Sequence, residues 1–496
     1  MKSLIFALLP LLPFGCGGTN NSSGPDMAMA PTTLGTAPAL AIACSDKPAD
    51  VYNLPAGLPA MDMTHRGDVF HCAVSESLTA AKVNSQLVAY NSSAANVTSG
   101  FWTYRVAYRT LRNTPKAGAT PAEGDTAAFL VVPEKPLPGA PLVVWAHGSV
   151  GIAPKCAPTM LDLSAPMQDQ DYPVSISKLA GYGYTVIAPD YSGFSYGQSP
   201  PGYFNAEDEA HSVLDATRAA ANLLPAPPDK VVILGHSQGG HAALSAQAFA
   251  GSYGLKGNLI GVAAFAPFWI SMSGWAAGTT DAAGFKTATD VSFILYTMEY
   301  AYSAGALRGD AGAGLAVFQP AKQQAAKDAL LGGECYDAAK LQALGSAPKD
   351  FFDPDYVSNV GFNCAANPLG SDCTKAPSTP QGDAPLWVSR WRQDRPALDA
   401  KSAPILIWYS AGDMTVKPGW AECAREKFAK DIAATGATTT IKYCYDPSAG
   451  HREIIRGNDP DFVNQWIAAR AGIGAEPAAC PDFPTGMACL VPPNDL

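Results

Sequence analysis

A largely parallel α/β sheet carrying a helical insertion is the fold this sequence predicts, on three observations. Short, continuously apolar runs alternate with helix-like stretches along most of the chain. One such run passes through a glycine-flanked serine directly into a helix-like stretch. The stretch 268–401 then interrupts the rhythm, and it is far too long to be a loop.

The strand signals come in order. They begin near Leu87 and continue at 103–110, 126–133, 141–146 and 184–190. Further runs lie at 231–234, 259–267, 403–410 and 440–445. Several have no polar alternation, which suits strands buried on both faces of a parallel sheet. Helix patterns such as 207–222 lie between them, and alternation of this kind builds a doubly wound sheet. Within 268–401 the first half is aromatic (Trp269, Trp275, Phe293, Tyr296, Tyr300) and 322–331 reads as a helix. The expectation is an α/β core in two parts, 44–267 and 402–475, with 268–401 inserted as a mainly helical cap.

The run Val231-Val232-Ile233-Leu234-Gly235-His236-Ser237-Gln238-Gly239-Gly240 carries the chemistry. A Gly-x-Ser-x-Gly between a buried strand and a helix is the context of a nucleophile elbow. The turn exposes the serine hydroxyl at the carboxyl edge of the sheet, and the helix behind it directs its positive end at a developing oxyanion. The motif alone is weak in a chain with 46 glycines among 496 residues, and it recurs at Gly193-Phe194-Ser195-Tyr196-Gly197. There Pro200 and Pro201 follow at once, and two prolines at that point do not open a helix of this kind. Ser237 is therefore the candidate and Ser195 a loop residue.

A serine hydroxyl needs a base within hydrogen-bond reach, and the base needs a third group to orient it. Of the seven histidines only His241 and His451 follow Ser237. His241 is one turn along the elbow helix and reads as structural. His451 lies in a small-residue loop, 447–451, just after the last strand signal, and is the candidate base. Asp413 ends the strand and turn 406–412 and is the candidate acid, with Asp446 and Asp431 as rivals. An oxyanion hole needs two backbone N–H groups. Gln238 supplies one by position, and the loop His147-Gly148-Ser149 after strand 142–146 supplies the other, from Ser149 or from Gly148.

The ends of the chain read differently. Lys2 and the short apolar run 4–14 form a secretory signal segment, 1–16, too short to span a bilayer. Gly15-Cys16 resembles a bacterial lipoprotein signal, with Cys16 as the lipidation site. Residues 17–43 are polar and small and read as a flexible linker; Asn20, Asn21, Asn91 and Asn96 match glycosylation acceptors but read as loop residues. Eleven cysteines less Cys16 leave ten, an even set for bridges in an oxidising compartment. The candidates are Cys44, Cys72, Cys156, Cys335, Cys364, Cys373, Cys423, Cys444, Cys480 and Cys489. The net charge of -10 argues against nucleic acid as a partner. No metal and no cofactor is expected, since metal-ligand spacing is absent from the sequence.

Taken together, 235–240, 188–193, the helix with Val213, Asp215 and Arg218, Gly412-Asp413 and Gly450-His451 resemble an α/β-hydrolase, and more narrowly the secretory lipase family of the fungal lipase A type. The resemblance implies an α/β-hydrolase fold, a helical cap before the strand that carries the acid, and a disulfide between acid and base, for which Cys423 and Cys444 are available. The tail 476–496, with Cys480 and Cys489, reads as an extra disulfide loop. It further implies a serine carboxylic ester hydrolase acting on a small-molecule or lipid ester, exported, either anchored to a membrane by lipid or secreted. A serine peptidase on the same fold and a non-enzymatic binding protein are the alternatives.

Overall fold

The computed structural model describes residues 32–90, 96–113, 122–165, 171–194, 196, 199–269, 279, 288–309, 312, 314–332, 335, 338–363, 377–399, 403–435, 438–456 and 460–484. Signal segment 1–16 with Cys16, and Ser195, Cys364, Cys373 and Cys489, lie outside the described residues.

Nine strands form one sheet: β1 (Val69–Leu78), β2 (Phe101–Arg112), β3 (Ala122–Pro133), β4 (Leu142–Ala146), β5 (Val186–Pro189), β6 (Lys230–His236), β7 (Asn258–Phe265), β8 (Ile405–Ser410) and β9 (Ile441–Asp446). Their order is β1-β2-β3-β5-β4-β6-β7-β8-β9. The first four of that order pair antiparallel, and every pairing from β5 to β9 is parallel. The parallel strands β4, β5 and β8 are buried throughout, as continuously apolar strands covered on both faces must be.

Side chains alternate between the two faces. Val144 and Ile233 meet one helical layer, α3 (Ala206–Leu223) and α4 (Gln238–Tyr253). Trp145, Leu234, Phe265 and Trp408 meet the other, with α1 (Ala80–Ala89) and α2 (Asp171–Gly181). The expected strand near Leu87 is in fact α1. Thr79 caps it by accepting from the Lys82 N–H, and Val83, Gln86 and Leu87 make a buried stripe at helical spacing. The strand in this region is β1, which sequence reading missed. It is an edge strand with mixed burial and register irregularities, so no clean period of two is present.

The insertion is helical among its described residues: α5 (Ala288–Leu307), α6 (Gln323–Leu331), α7 (Ala338–Leu344), a π-helical stretch (Tyr356–Asn363) and α8 (Ala384–Gln393). Its apolar core runs continuously into Ile405, Ile407 and Tyr409 of β8. After β8 come α9 (Pro418–Thr435), β9, α10 (Glu453–Arg456) and α11 (Pro460–Ala471).

Three disulfides join described residues: Cys44–Cys72, Cys156–Cys335 and Cys444–Cys480. The second ties the insertion to the loop after β4. The third corrects two expectations, because Cys444 is bonded neither to Cys423 nor through a separate tail loop closed by Cys480 and Cys489. Strand alternation explains it. The helix that carries Cys423 packs through Ala421, Ala424 and Phe428 on the sheet face of Ile407, Tyr409 and Tyr445. Cys444 points to the opposite face, beside Leu406, Trp408 and Cys480. Cys423 is itself disulfide-bonded. The tail lies along β9, where the Tyr445 N–H donates to the Pro481 carbonyl and Phe483 packs edge-on against Tyr445.

One buried carboxyl in the insertion stands out. Glu299 of α5 is buried, and its Oε2 meets no hydrogen-bond partner among the described residues. Burial pushes its pKa well above the ordinary carboxylate value. The folded state therefore holds a proton that the unfolded chain releases, so this contribution to stability is full below the unfolded pKa and is lost as pH rises. Thermal denaturation from about pH 5 to about pH 8 should show the melting temperature of the wild type falling more steeply than that of Glu299→Gln.

Candidate active site

Ser237 occupies the single residue between β6 and α4, with φ 57° and ψ -116°. A non-glycine residue at positive φ is strained by about 1–3 kcal/mol and persists only where its surroundings over-determine it. Here the Ser237 N–H donates to the Phe265 carbonyl at 2.9 Å, and its own carbonyl accepts from the His241 N–H at 3.1 Å. The flanking glycines are a steric requirement. A Cβ on Gly235 would lie 2.0 Å from the Gly239 carbonyl oxygen, and one on Gly239 would lie 2.0 Å from that of Ala146. Helix α4 thus begins in backbone contact with β4, and only glycine fits.

The three candidate side chains come together across two loops. His451 Nε2 is 2.9 Å from Ser237 Oγ, and His451 Nδ1 is 2.7 Å from Asp413 Oδ2. Asp413 is 1% exposed, and its other oxygen accepts from the backbone N–H groups of Thr415 and Val416 at 2.8 and 2.7 Å. Those bonds fix the carboxylate so that Oδ2 is left for the imidazole. The turn carrying Asp413 and the loop carrying His451 are joined by the Gly412 N–H to Ala449 carbonyl bond at 3.0 Å.

The rival acids have other work. Asp446 accepts from the Ser448 and Ala449 N–H groups at 2.7 Å each, which shapes the loop that delivers His451. Asp431 pairs with Lys427 one turn away on α9. Ser195 lies outside the described residues, but its neighbour Phe194 is buried edge-on to His147, and Gly193 has φ 104° in a tight turn against Pro200 and Pro201.

Gln238, Ser149 and Gly148 all fall at this end of the sheet. Gln238 opens α4, so its backbone N–H is among those without an intrahelical acceptor. Ser149 lines the same crevice as Ser237, and its hydroxyl lies 2.7 Å from that of Tyr203. Gly148 is held from behind, its carbonyl 2.6 Å from His147 Nδ1. The His147 ring stacks on Tyr191, whose hydroxyl donates to the His147 carbonyl. His147 therefore supports the loop. Around Ser237 the crevice is apolar, walled by Tyr203, Phe204, Phe268, Phe293 and Tyr296 together with Val416. Phe293 and Tyr296 belong to the insertion.

Two supporting residues escaped the sequence reading. His236 Nε2 is 2.8 Å from the His451 carbonyl, so the residue beside the serine anchors the loop of the candidate base. Glu209 of α3 is fully buried between the elbow and the insertion. It accepts from Gln238 Nε2 at 2.8 Å and lies 2.7 Å from His241 Nδ1. His241 Nε2 in turn lies 2.7 Å from the Asp394 carbonyl in the insertion. Burial pushes Glu209 above the ordinary carboxylate range. Burial works against the His241 cation too, but the adjacent Glu209 outweighs it and raises the histidine. A signal for Glu209 existed: it falls on the buried face of α3, between Ala206 and Val213, where an apolar residue is the norm.

The sheet order and the strand–turn–helix elbow at Ser237 are those of the α/β-hydrolase fold. Within that class the chain resembles secretory lipases, and the secretory lipase family profile matches residues 162–287. Lipase A of Moesziomyces aphidis is 28% identical over 204 residues, a match covering 39% of this chain and 41% of that protein. The chain thus aligns with less than half the length of this relative. Among solved structures, Candida antarctica lipase A in its closed state superposes with a TM-score of 0.57 at 17% identity, covering 90% of this chain and 92% of that one. The rice cell wall degrading esterase LipA from Xanthomonas oryzae gives 0.57 at 17% identity, covering 84% and 98%. At these identities the likeness is one of fold.

The glycine geometry yields a direct check. Gly239→Ala should lower the melting temperature by several degrees or abolish soluble expression, because its Cβ meets backbone that has no room to yield. Gly251→Ala, on the outer part of α4, meets only the end of the Asp399 side chain and should leave the melting temperature nearly unchanged.

Proposed function

We propose that the protein is a serine carboxylic ester hydrolase, a lipase or esterase. The observation that carries this reading is the unbroken chain Asp413–His451–Ser237, at 2.7 and 2.9 Å, opening on an apolar crevice. His451 takes the Ser237 proton as Oγ attacks the ester carbonyl. The oxyanion is met by the Gln238 N–H and by an N–H of the Ser149 loop. The acyl-enzyme forms as the C–O bond breaks, and His451 returns its proton to the leaving alcohol. It then deprotonates the water that releases the acid. Asp413 holds the imidazole in the tautomer with its proton on Nδ1 and stabilises the cation.

The crevice supports an ester with an apolar acyl or alcohol part. Its aromatic walls come partly from the insertion, which therefore acts as a cap over the substrate. The family resemblance and the disulfides support export, since such bonds persist in oxidising compartments. We read Cys16 as the point of lipid attachment: Cys16→Ser should change the mature mass and release the protein from membranes, and an unchanged mass would remove the anchor.

Hydrolysis of p-nitrophenyl esters of graded chain length tests the mechanism. Ser237→Ala should lose about 10³–10⁶-fold in kcat. Asp413→Asn should lose about 10⁴-fold through the wrong imidazole tautomer. Ser195→Ala should remain near wild type. Activity that survives in Ser237→Ala and vanishes in Ser195→Ala would overturn the assignment.

A further inference from the structure

We propose that Glu209 is a positioning residue for the oxyanion hole. It fixes, by hydrogen bonds, the two segments that would present N–H groups to the developing charge, and it acts through them without touching the substrate. The inference rests on the ester hydrolase reading above and names a further residue that this reaction needs.

Glu209 lies buried in the first turn of α3, and one of its carboxyl oxygens serves two donors. Oε1 accepts from Gln238 Nε2 at 2.8 Å and from the Phe204 N–H at 2.9 Å. The first bond anchors the far end of the Gln238 side chain, and so limits how its backbone N–H can turn at the start of α4. The second secures a strained turn. Phe204 has φ 51°, in the left-handed region that a bulky residue adopts only where its surroundings over-determine it. Phe204 and the preceding Tyr203 both wall the crevice at Ser237. The Tyr203 hydroxyl lies 2.7 Å from that of Ser149, whose loop is the other candidate source of an N–H. One carboxyl oxygen thus reaches both halves of the proposed hole: Gln238 directly, and the Ser149 loop by way of the Phe204–Tyr203 turn.

The second oxygen fixes the carboxyl itself. Oε2 lies 2.7 Å from His241 Nδ1, and His241 Nε2 lies 2.7 Å from the Asp394 carbonyl, so the insertion bears on the hole through the same residue. Hydrogen-bond position, more than charge, is what the arrangement demands. A glutamine at 209 keeps every one of these bonds. Its oxygen accepts from Gln238 and Phe204, its amide N–H donates to His241 Nδ1, and a neutral His241 donates through Nε2 to the Asp394 carbonyl. A leucine fills nearly the same space and leaves the Gln238 amide, the Phe204 N–H and His241 Nδ1 without that partner.

Steady-state hydrolysis of p-nitrophenyl acetate tests the role, because its acyl methyl asks least of the aromatic walls. Wild type and Ser237→Ala first establish that hydrolysis depends on Ser237. Glu209→Leu should then lower kcat about 10–100-fold, less than the outright loss of an oxyanion donor costs, and should change KM by less than about threefold. Glu209→Gln should recover most of that loss. A residue needed only for folding would lower the melting temperature and leave the kcat of the folded fraction unchanged. A kcat of folded Glu209→Leu within about twofold of wild type, or equal losses in Glu209→Gln and Glu209→Leu, overturns the proposal. Should Glu209→Leu fail to fold, Gln238→Leu keeps the backbone N–H and removes only its tie to Glu209. That variant should lose about tenfold in kcat, and a wild-type kcat there overturns the proposal. Hydrolysis that does not depend on Ser237 removes the ester hydrolase reading, and this inference with it. Ser237-dependent hydrolysis that is indifferent to Glu209 leaves that reading standing and removes the inference alone.

Discussion

The contact between the first turn of α4 and the backbone of β4 governs this molecule. At Gly239 there is no space between helix and strand for a methyl group. That closeness forces the chain at Ser237 through a positive φ, and the forced turn lifts the hydroxyl clear of the sheet edge. It also brings the N-terminal end of α4, with its unsatisfied N–H groups and positive partial charge, beside the loop that carries Ser149. The proposed nucleophile and the groups proposed to stabilise the anion are thus products of one packing decision. The cost of the strained serine is of order 1–3 kcal/mol, small against the burial of the strands on either side.

Around that rigid point the remaining parts are tethered by polar and covalent ties. The turn of Asp413 and the loop of His451 are joined to each other by backbone hydrogen bonds and to the elbow through His236. The insertion is held on the other side by Cys156–Cys335, and by the run from Gln238 through Glu209 and His241 to the Asp394 carbonyl. Asp394 itself pairs with Arg308 and accepts from the Tyr300 hydroxyl, both on or just beyond α5. Glu209 and His241 are costly to bury singly and are buried in hydrogen-bonded contact with each other. The residue expected to supply an oxyanion N–H is therefore fastened, through its side chain, to the element that walls the crevice.

Much of this was legible in the sequence, for local reasons. Buried parallel strands leave continuous apolar runs, so β4, β6, β7 and β8 announced themselves. The choice of Ser237 over Ser195 as candidate rests on the prolines that follow one and the helix that follows the other. The proposal of Asp413 and His451, whose side chains meet at Ser237, came from strand ends and from the scarcity of histidines. What was not legible depends on contacts between distant segments. β1 is an edge strand with polar Ser75 and Glu76 among its residues, and its partner β2 is more than twenty residues away. Leu87 was apolar in either reading, and only the stripe it makes with Val83 and a capping Thr79 marks a helix. Cysteine pairing turned on which face of β9 Cys444 points to, which spacing alone does not reveal. Glu209 and His236 act through the third dimension, each bonding a residue that is remote in the chain or on another element.

The central claim is that Ser237 is the activated nucleophile of this site. Labelling the intact protein with a fluorophosphonate and mapping the adduct by peptide mass spectrometry tests it most directly. A single adduct is expected, on the peptide that contains Ser237, and it should be lost when His451 is replaced by alanine. An adduct on Ser195, or labelling that persists without His451, would contradict it.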